Sequence, residues 1–272
     1  MTMKTVILCG GKGTRLREHT ESIPKPLVEI GGRPILWHLM KLYLAQGFGD
    51  FVLALGYKGD RIKQFFLAEL DQKAGDFRLV QSNGTPAIEP LRSSSEPWDI
   101  VFAETGLETD TGGRLHRVRS YVGDGTFGLT YADGLADIDL GSLAAFHRSH
   151  GRLATVTAVR PQSTLGLLDL ADGNVVRGFR EKPRLDHLIN GGFFLLEPGV
   201  FDYTTPSCNF ERDVLPRLAA DGQLVAFPHE GYWACMDTYK DNVTLNELWQ
   251  QQRAPWKLWS DNGARGADGG DR

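Results

Sequence analysis

The stretch ILCGGKGTRL, Ile7 to Leu16, runs from an apolar segment straight into glycines and two cations, Lys12 and Arg15. Glycine lets a backbone turn tightly and approach a ligand closely. Cations beside such a turn suit a phosphate, and a guanidinium can engage two of its oxygens. Three familiar phosphate motifs do not fit. No GxxxxGK[ST] loop is present, Leu16 stands where a dinucleotide fingerprint needs its third glycine, and the HRD and DFG partners of a protein kinase are missing. Taken alone, the glycines are also compatible with an ordinary structural turn. A further cation, Lys25, lies between Pro24 and Pro26. The prolines restrict the backbone around it, which favours a placed ammonium over a solvated lysine.

The elements that must hold these residues follow from the apolar pattern. Lys4 to Cys9 reads as a buried strand, Pro34 to Gln46 as a helix ending at Gly47, Phe51 to Leu55 as a strand, and Arg61 to Leu70 as a helix capped by Asp60. This is a βαβα order with short links, which implies a parallel sheet with crossover helices. Further on, residues 77–82 and 98–105 read as strands around a polar loop, Asn83 to Glu96. Residues 111–122 read as one helix, 127–134 as a strand ending in an acidic turn, and 140–151 as a helix. Residues 153–159 read as a strand, 165–179 as a hairpin turning at Asp172–Gly173, and 191–197 as a strand. Helices are expected from about Phe210 to Ala220 and from about Tyr239 to Gln251. The expected architecture is α/β: a Rossmann-like mixed, mostly parallel sheet flanked by helices, with a small added β-hairpin region. Residues 1–259 are expected to form one domain, and 260–272, which lack large apolar residues, a disordered tail.

Composition narrows the setting. The 272 residues carry 41% hydrophobic content, enough for one sizeable core. Thirty basic and 34 acidic residues leave a net charge of −4, so no broad basic surface points to nucleic acid. Cys9, Cys208 and Cys235 are far apart, odd in number and without metal-knuckle spacing, which fits a reducing cytoplasm. The amino-terminal apolar run is too short for a signal peptide, and no run is long enough to span a bilayer. A cytoplasmic protein is expected.

The motifs GGKGTRL and PKPLVEIGGRPIL, together with PILWHLMKLY, GYKGDRIKQFF, EPWDIVFAETG, TGGRLHRV, TYADGLADID, INGGFFLLEP, MDTYKDNVTLNELW and APWKLW, resemble the sugar-nucleotidyltransferase family. Within it they are most similar to the glucose-1-phosphate cytidylyltransferases. The resemblance covers nearly the whole chain before the tail and implies the nucleotidyltransferase fold. It also implies transfer of a cytidylyl group from CTP to a sugar 1-phosphate, with pyrophosphate leaving. A phosphate monoester is already an anion near neutral pH, so no general base is required. The requirements are cations, backbone donors and a divalent metal.

By this resemblance Asp133 and Asp237 bind Mg²⁺, and Arg15, Lys25 and Asp133 serve the reaction. Both aspartates stand past probable strand ends, where ligands of open α/β sheets bind. For each, a turn or N-cap role is the structural alternative. Nucleotide contacts are implied for Leu8, Cys9, Gly10, Gly11, Lys12, Gly13, Thr14, Thr109, Arg114 and Ala132. Sugar-phosphate contacts are implied for Glu181, Lys182, Asn190 and Gly191. Asp137, Asp139 and Asp241 read as helix-start or surface residues, and His147 with His150 as a solvated helix face. Trp256 and Trp259 suggest an interface, so a homo-oligomer is expected, with no nucleic-acid or membrane partner.

Three departures bear on specificity. Thr164 and Leu165 stand where glucose-specific relatives carry an Arg-Phe pair, Leu91 to Ser95 is not the usual basic segment, and Ala132 replaces a family glycine. The sugar is therefore open between glucose and a modified hexose or polyol phosphate. UTP, dTTP or GTP in place of CTP, and a non-catalytic nucleotide-sugar-binding protein, are the further alternatives.

Overall fold

A computed structural model describes residues 3–13, 22–73, 77–82, 85–90 and 96–260. The expectations for Thr14 and Arg15, for Leu91 to Ser95, and for nearly all of the tail lie outside the described residues. Strand β1 (Thr5–Leu8) is followed by a ribbon of β2 (Glu29–Ile30) and β3 (Arg33–Pro34), helix α1 (Ile35–Leu44), β4 (Asp50–Leu55) and α2 (Gly59–Lys73). Then come β5 (Phe77–Ser82), β6 (Thr85–Pro90), β7 (Asp99–Glu104), α3 (Thr111–Arg117), α4 (Arg119–Val122), β8 (Phe127–Tyr131), β9 (Gly134–Ala136), α5 (Leu140–His150) and β10 (Ala154–Val159). The remainder is β11 (Leu167–Leu170), β12 (Val176–Arg180), β13 (Ile189–Leu196), α6 (Leu215–Ala220), β14 (Leu224–His229), β15 (Trp233–Cys235) and α7 (Tyr239–Gln250).

Among the described residues, seven strands make the main sheet in the order β14-β10-β13-β8-β1-β4-β7. Strand β13 runs against β8 and β10, and the other pairings are parallel. The mixed, mostly parallel sheet is thus as expected. Strand β1 is buried along its whole length, as a central parallel strand covered on both faces must be. Helix α1 buries Ile35 to Met40 together with Leu42 and Tyr43, and packs with Phe51, Leu53 and Phe193 on one side of the sheet. Leu115, Val118, Phe127, Phe194 and Phe210 fill the other side. The hairpin β11–β12 forms as expected around Asp172–Asn174, where Gly173 takes a φ of 71°.

Several expectations are corrected. The polar segment after Ser82 is not a plain loop: β5 and β6 pair with Ser82 opposite Thr85, and the intervening Asn83-Gly84 is the strongest two-residue hairpin signal in the chain. The helix expected over 111–122 breaks at Val118, whose φ of −92° and ψ of 5° leave the helical range. Strand β14 was absent from the expected set. Its apolar run is short and ends at Pro228, a residue tolerated because β14 lies at the sheet edge.

His147 is buried, with Nδ1 2.7 Å from Thr155 Oγ1 and Nε2 3.0 Å from Glu197 Oε1, because α5 packs that face against β10. Trp256 is buried too and sits against His38 and Tyr232. It completes the core and offers no interface. No helix among the described residues is long and apolar enough to cross a membrane, and all three cysteines are free thiols.

His38 is fully buried in α1, with Nε2 2.8 Å from Ile30 O and Nδ1 facing Trp256 Nε1 at 3.4 Å. Burial lowers its pKa to about 4, against the support of the Ile30 carbonyl and with help from Arg33. The folded state therefore binds this proton less readily than the unfolded chain, where the value is about 6.5. The stability it protects is complete above pH 6.5 and is lost as the pH falls from there towards 4, at a cost of about 3 kcal/mol by linkage. Denaturant unfolding at pH 7 and pH 4 should show this loss in the wild type and not in His38→Gln. Equal losses in both proteins would assign the titration elsewhere.

Candidate active site

The site is built at the carboxyl ends of β1, β4 and β8. Strand β9 follows β8 immediately and pairs antiparallel with β15, with Gly134 opposite Cys235. Met236 N donates to Asp133 O at 2.9 Å, which extends this short ladder by one pair and brings the next residue, Asp237, up to Asp133. Their carboxylates meet the Lys25 ammonium, with Nζ 2.7 Å from Asp133 Oδ2 and 2.9 Å from Asp237 Oδ1.

Lys25 starts a short 3-10 turn, Lys25–Leu27, after an extended Pro24. Its side chain is only 12% exposed, so it is not a solvated surface lysine. Burial works against its charge, but the two aspartates outweigh that and hold its pKa above the ordinary value. Asp237 does not cap α7. Thr238 does, its hydroxyl accepting from Asp241 N at 3.3 Å while Asp241 Oδ2 accepts from Thr238 N at 2.7 Å and from Asp237 N at 3.0 Å. Asp241 is thus a helix-start residue, as expected. So is Asp139, which accepts from Ser142 N at 2.9 Å.

Two cavities adjoin at this cluster. One, of about 370 Å³, is lined by Leu8, Cys9, Gly10, Gly11, Gly13, Thr109, Arg114, Ala132 and the Lys25 cluster. The other, of about 260 Å³, is lined by Asn190, Gly191, Gly192, Trp233 and Cys235. Tyr131, Asp133 and Asp237 line both. Eight of the residues expected around a nucleotide thus line the first hollow, and Asn190 and Gly191 of those expected around a sugar line the second, with the aspartate pair between them. Lys12 bonds Glu108 at 2.7 and 2.9 Å. Glu181 and Lys182 pair with each other at 3.1 Å at the end of the exposed hairpin and line neither hollow.

Arg114 lies in the wall of the first hollow, but its donors are turned to the chain. Nη1 reaches Leu55 O at 2.9 Å, Thr105 Oγ1 at 2.7 Å and Gly106 O at 2.8 Å. Nη2 reaches Gly10 O at 3.1 Å and Leu107 O at 3.3 Å. The guanidinium, 4% exposed as a residue, clasps the ends of β1, β4 and β7 at once. It also explains two glycines. A Cβ at Gly10 would lie 2.1 Å from Arg114 Cζ, and one at Gly56 would lie 2.3 Å from Nη1.

The thiols in the walls are not poised to react. Burial raises the pKa of Cys9, and burial followed by the Asp133 charge raises that of Cys235 to about 12. The donor set suits a hard cation. Among the described residues no group of three His, Cys, Asp or Glu side chains gathers as for a zinc site. Mg²⁺ commonly takes only one or two carboxylates and completes its shell with phosphate and water.

Residues not singled out in the sequence also shape the site. Trp233 Nε1 donates to Gly191 O at 2.7 Å, and Tyr131 OH donates to Glu211 Oε1 at 2.5 Å. A strand-end tyrosine two residues before Asp133 was a usable signal for Tyr131. Nothing in the local pattern marked Glu211, 80 residues away from it.

The chain is similar to known proteins over nearly its whole length. A Bacillus subtilis protein named "Probable glucose-1-phosphate cytidylyltransferase" is 47% identical over 259 residues, covering 94% of this chain and all of that protein. The glucose-1-phosphate cytidylyltransferase of Salmonella typhimurium is 46% identical over 261 residues, with the same coverage. The crystal structure of an apo UDP-glucose pyrophosphorylase superposes with a TM-score of 0.67 at 15% identity, over 93% of this chain and all of that one, which establishes the shared fold. Residues 4–264 match the Nucleotidyl transferase family, and the chain is a member of that family.

Proposed function

We propose that the chain transfers a cytidylyl group from CTP to glucose 1-phosphate, giving CDP-glucose and pyrophosphate, with residues 1–259 as the catalytic unit. The observation that carries this reading is the convergence of Asp133 and Asp237 on Lys25 between two hollows. One hollow is walled by a glycine-rich turn and the other by Asn190 and Gly191. The choice of CTP and glucose is supported by the names of the relatives at 46–47% identity.

A sugar-phosphate oxygen attacks the α-phosphorus of CTP in line. The new P–O bond forms as the bond to the β-phosphate oxygen breaks, and pyrophosphate carries away the electron pair. The nucleophile is already ionised, so no base is assigned. The Gly10–Gly13 turn offers backbone close to the triphosphate, and Lys12 and Arg15 supply charge to it. Lys25 lies where charge on the α-phosphate must be offset. Asp133 and Asp237 would hold Mg²⁺, which when bound would supply positive charge to the phosphates. Asn190 and Gly191 take the sugar; Lys182 and Glu181, paired with each other outside both hollows, would have to move to reach it. Arg114 holds the nucleotide turn, and reading of the base falls to Thr109 and the backbone around it.

Free thiols support a cytoplasmic setting. Assembly with copies of the same chain is supported by the hairpin. Leu168 lies opposite Phe179 and Leu170 opposite Val176, all four are exposed, and an isolated two-stranded ribbon gains stability by covering such a face.

Incubating the protein with Mg²⁺, each nucleoside triphosphate and a panel of sugar 1-phosphates should release pyrophosphate with CTP and glucose 1-phosphate. Release with UTP, dTTP or GTP instead would move the base assignment, and no release with any pair would leave a nucleotide-sugar-binding protein. Lys25→Met should lower kcat by roughly 10²–10³, the cost of losing one preorganised electrostatic donor. A changed KM for the sugar with kcat intact would show that Lys25 acts in binding alone. In light scattering, Phe179→Glu should shift the protein to smaller species, and a wild type that is monomeric at micromolar concentration would reject the assembly.

A further inference from the structure

One carboxylate behind the cavity wall holds two hydroxyls that belong to it. Glu211 Oε1 accepts from Tyr131 OH at 2.5 Å, and Oε2 accepts from Thr111 Oγ1 at 2.6 Å. Tyr131 and Thr111 line the larger hollow, and Tyr131 also lines the smaller one. Glu211 lines neither. Each Glu211 oxygen accepts from one hydroxyl, so the pair of bonds draws both hydroxyl protons away from the cavity and fixes both rotors.

The lone pairs that remain are used as well. Tyr131 OH accepts from Asn190 Nδ2 at 3.3 Å, and Thr111 Oγ1 accepts from Phe210 N at 2.9 Å. Asn190 is oriented in turn, because its Oδ1 accepts from Gly192 N at 2.8 Å. The result is a continuous line of bonds from Asn190 in the smaller hollow to the first residue of α3 in the larger.

The base on which Glu211 stands is rigid. Gly113 N donates to Cys208 O at 2.9 Å, and α3 lies so close to this segment that a Cβ at Gly113 would come within 2.4 Å of Pro206 O. Phe210 to Val214 form a π-helical turn, a rare geometry frequent at functional sites. The Tyr131 ring is held from the other side, since a Cβ at Gly192 would meet its Cδ2 at 2.7 Å.

We propose that Glu211 is a positioning residue that ties the nucleotide side of the site to the sugar side by holding Thr111 and Tyr131 through one carboxylate. This rests on the function proposed above. Gln has the shape of Glu but presents an amide NH₂ donor to one of the two hydroxyls, which must then turn its proton into the cavity.

Steady-state kinetics with CTP, Mg²⁺ and glucose 1-phosphate test it. In Glu211→Gln both KM values should rise roughly tenfold, as for loss of a hydrogen bond to a charged group, with the melting temperature kept. Tyr131→Phe should raise chiefly the KM for glucose 1-phosphate and Thr111→Val chiefly that for CTP. Neither should add to Glu211→Gln. A Glu211→Gln enzyme within twofold of wild type in kcat and both KM values, or fully additive variants, would overturn the inference and leave the function standing. A wild type that turns over no substrate would overturn both. Should Glu211→Gln fail to fold, Tyr131→Phe decides alone, and an unchanged KM for glucose 1-phosphate overturns the proposal.

Discussion

Two carboxylates 104 residues apart in the chain have to face the same point, and a ladder of three residue pairs makes them do so. The β9–β15 pairing sets Gly134 opposite Cys235, with Asp133 next to Gly134 and Asp237 two residues past Cys235. A slip of one residue would turn every side chain of β15 to the other face and take Asp237 away from Asp133. The ladder is too short to be stable alone. It persists because Leu135, Ala136 and Met236 belong to the core under α1, and because α7 has its own cap in Thr238 and Asp241. The core packing and the capping box therefore both serve the register of three residue pairs.

Lys25 is the electrostatic counterpart of that register. Two carboxylates brought together repel one another, and each loses solvation. An ammonium within 3 Å of both offsets that repulsion. The prolines on either side of Lys25 limit the conformations it must give up to stand there, so the local stiffness read in the sequence and the charge balance read in the structure have one cause.

Much of this was legible in the residues. The strand feeding the glycine turn, the β–α alternation and the strand-end position of Asp133 follow from periodicity and from where open sheets bind ligands. Asp237 was legible mainly through family likeness, because a carboxylate ahead of a helix ordinarily reads as a cap, and only the hydrogen bonds of Thr238 and Asp241 release it from that role. What stayed hidden depended on tertiary placement. Trp256 looked like an exposed aromatic near a chain end and is buried against His38. His147 looked solvated because its i, i+3 partner suggested a surface stripe, but Thr155 and Glu197 receive it. Arg114 looked like a helix residue reaching for a base. No local pattern says that Leu55, Gly106 and Gly10 would converge on it. The hairpin at β5–β6 is different in kind, because the dipeptide Asn83-Gly84 carries a local turn signal within an otherwise polar stretch.

The buried guanidinium has a wider implication. Because Arg114 fills the volume a side chain would need at positions 10 and 56, those two glycines and that arginine constitute a single heritable unit spread over three distant stretches. Drift at any one of them is penalised unless the others follow. Grafting the glycine-rich turn of a relative onto this scaffold would accordingly succeed or fail on whether its α3 supplied the matching occupant.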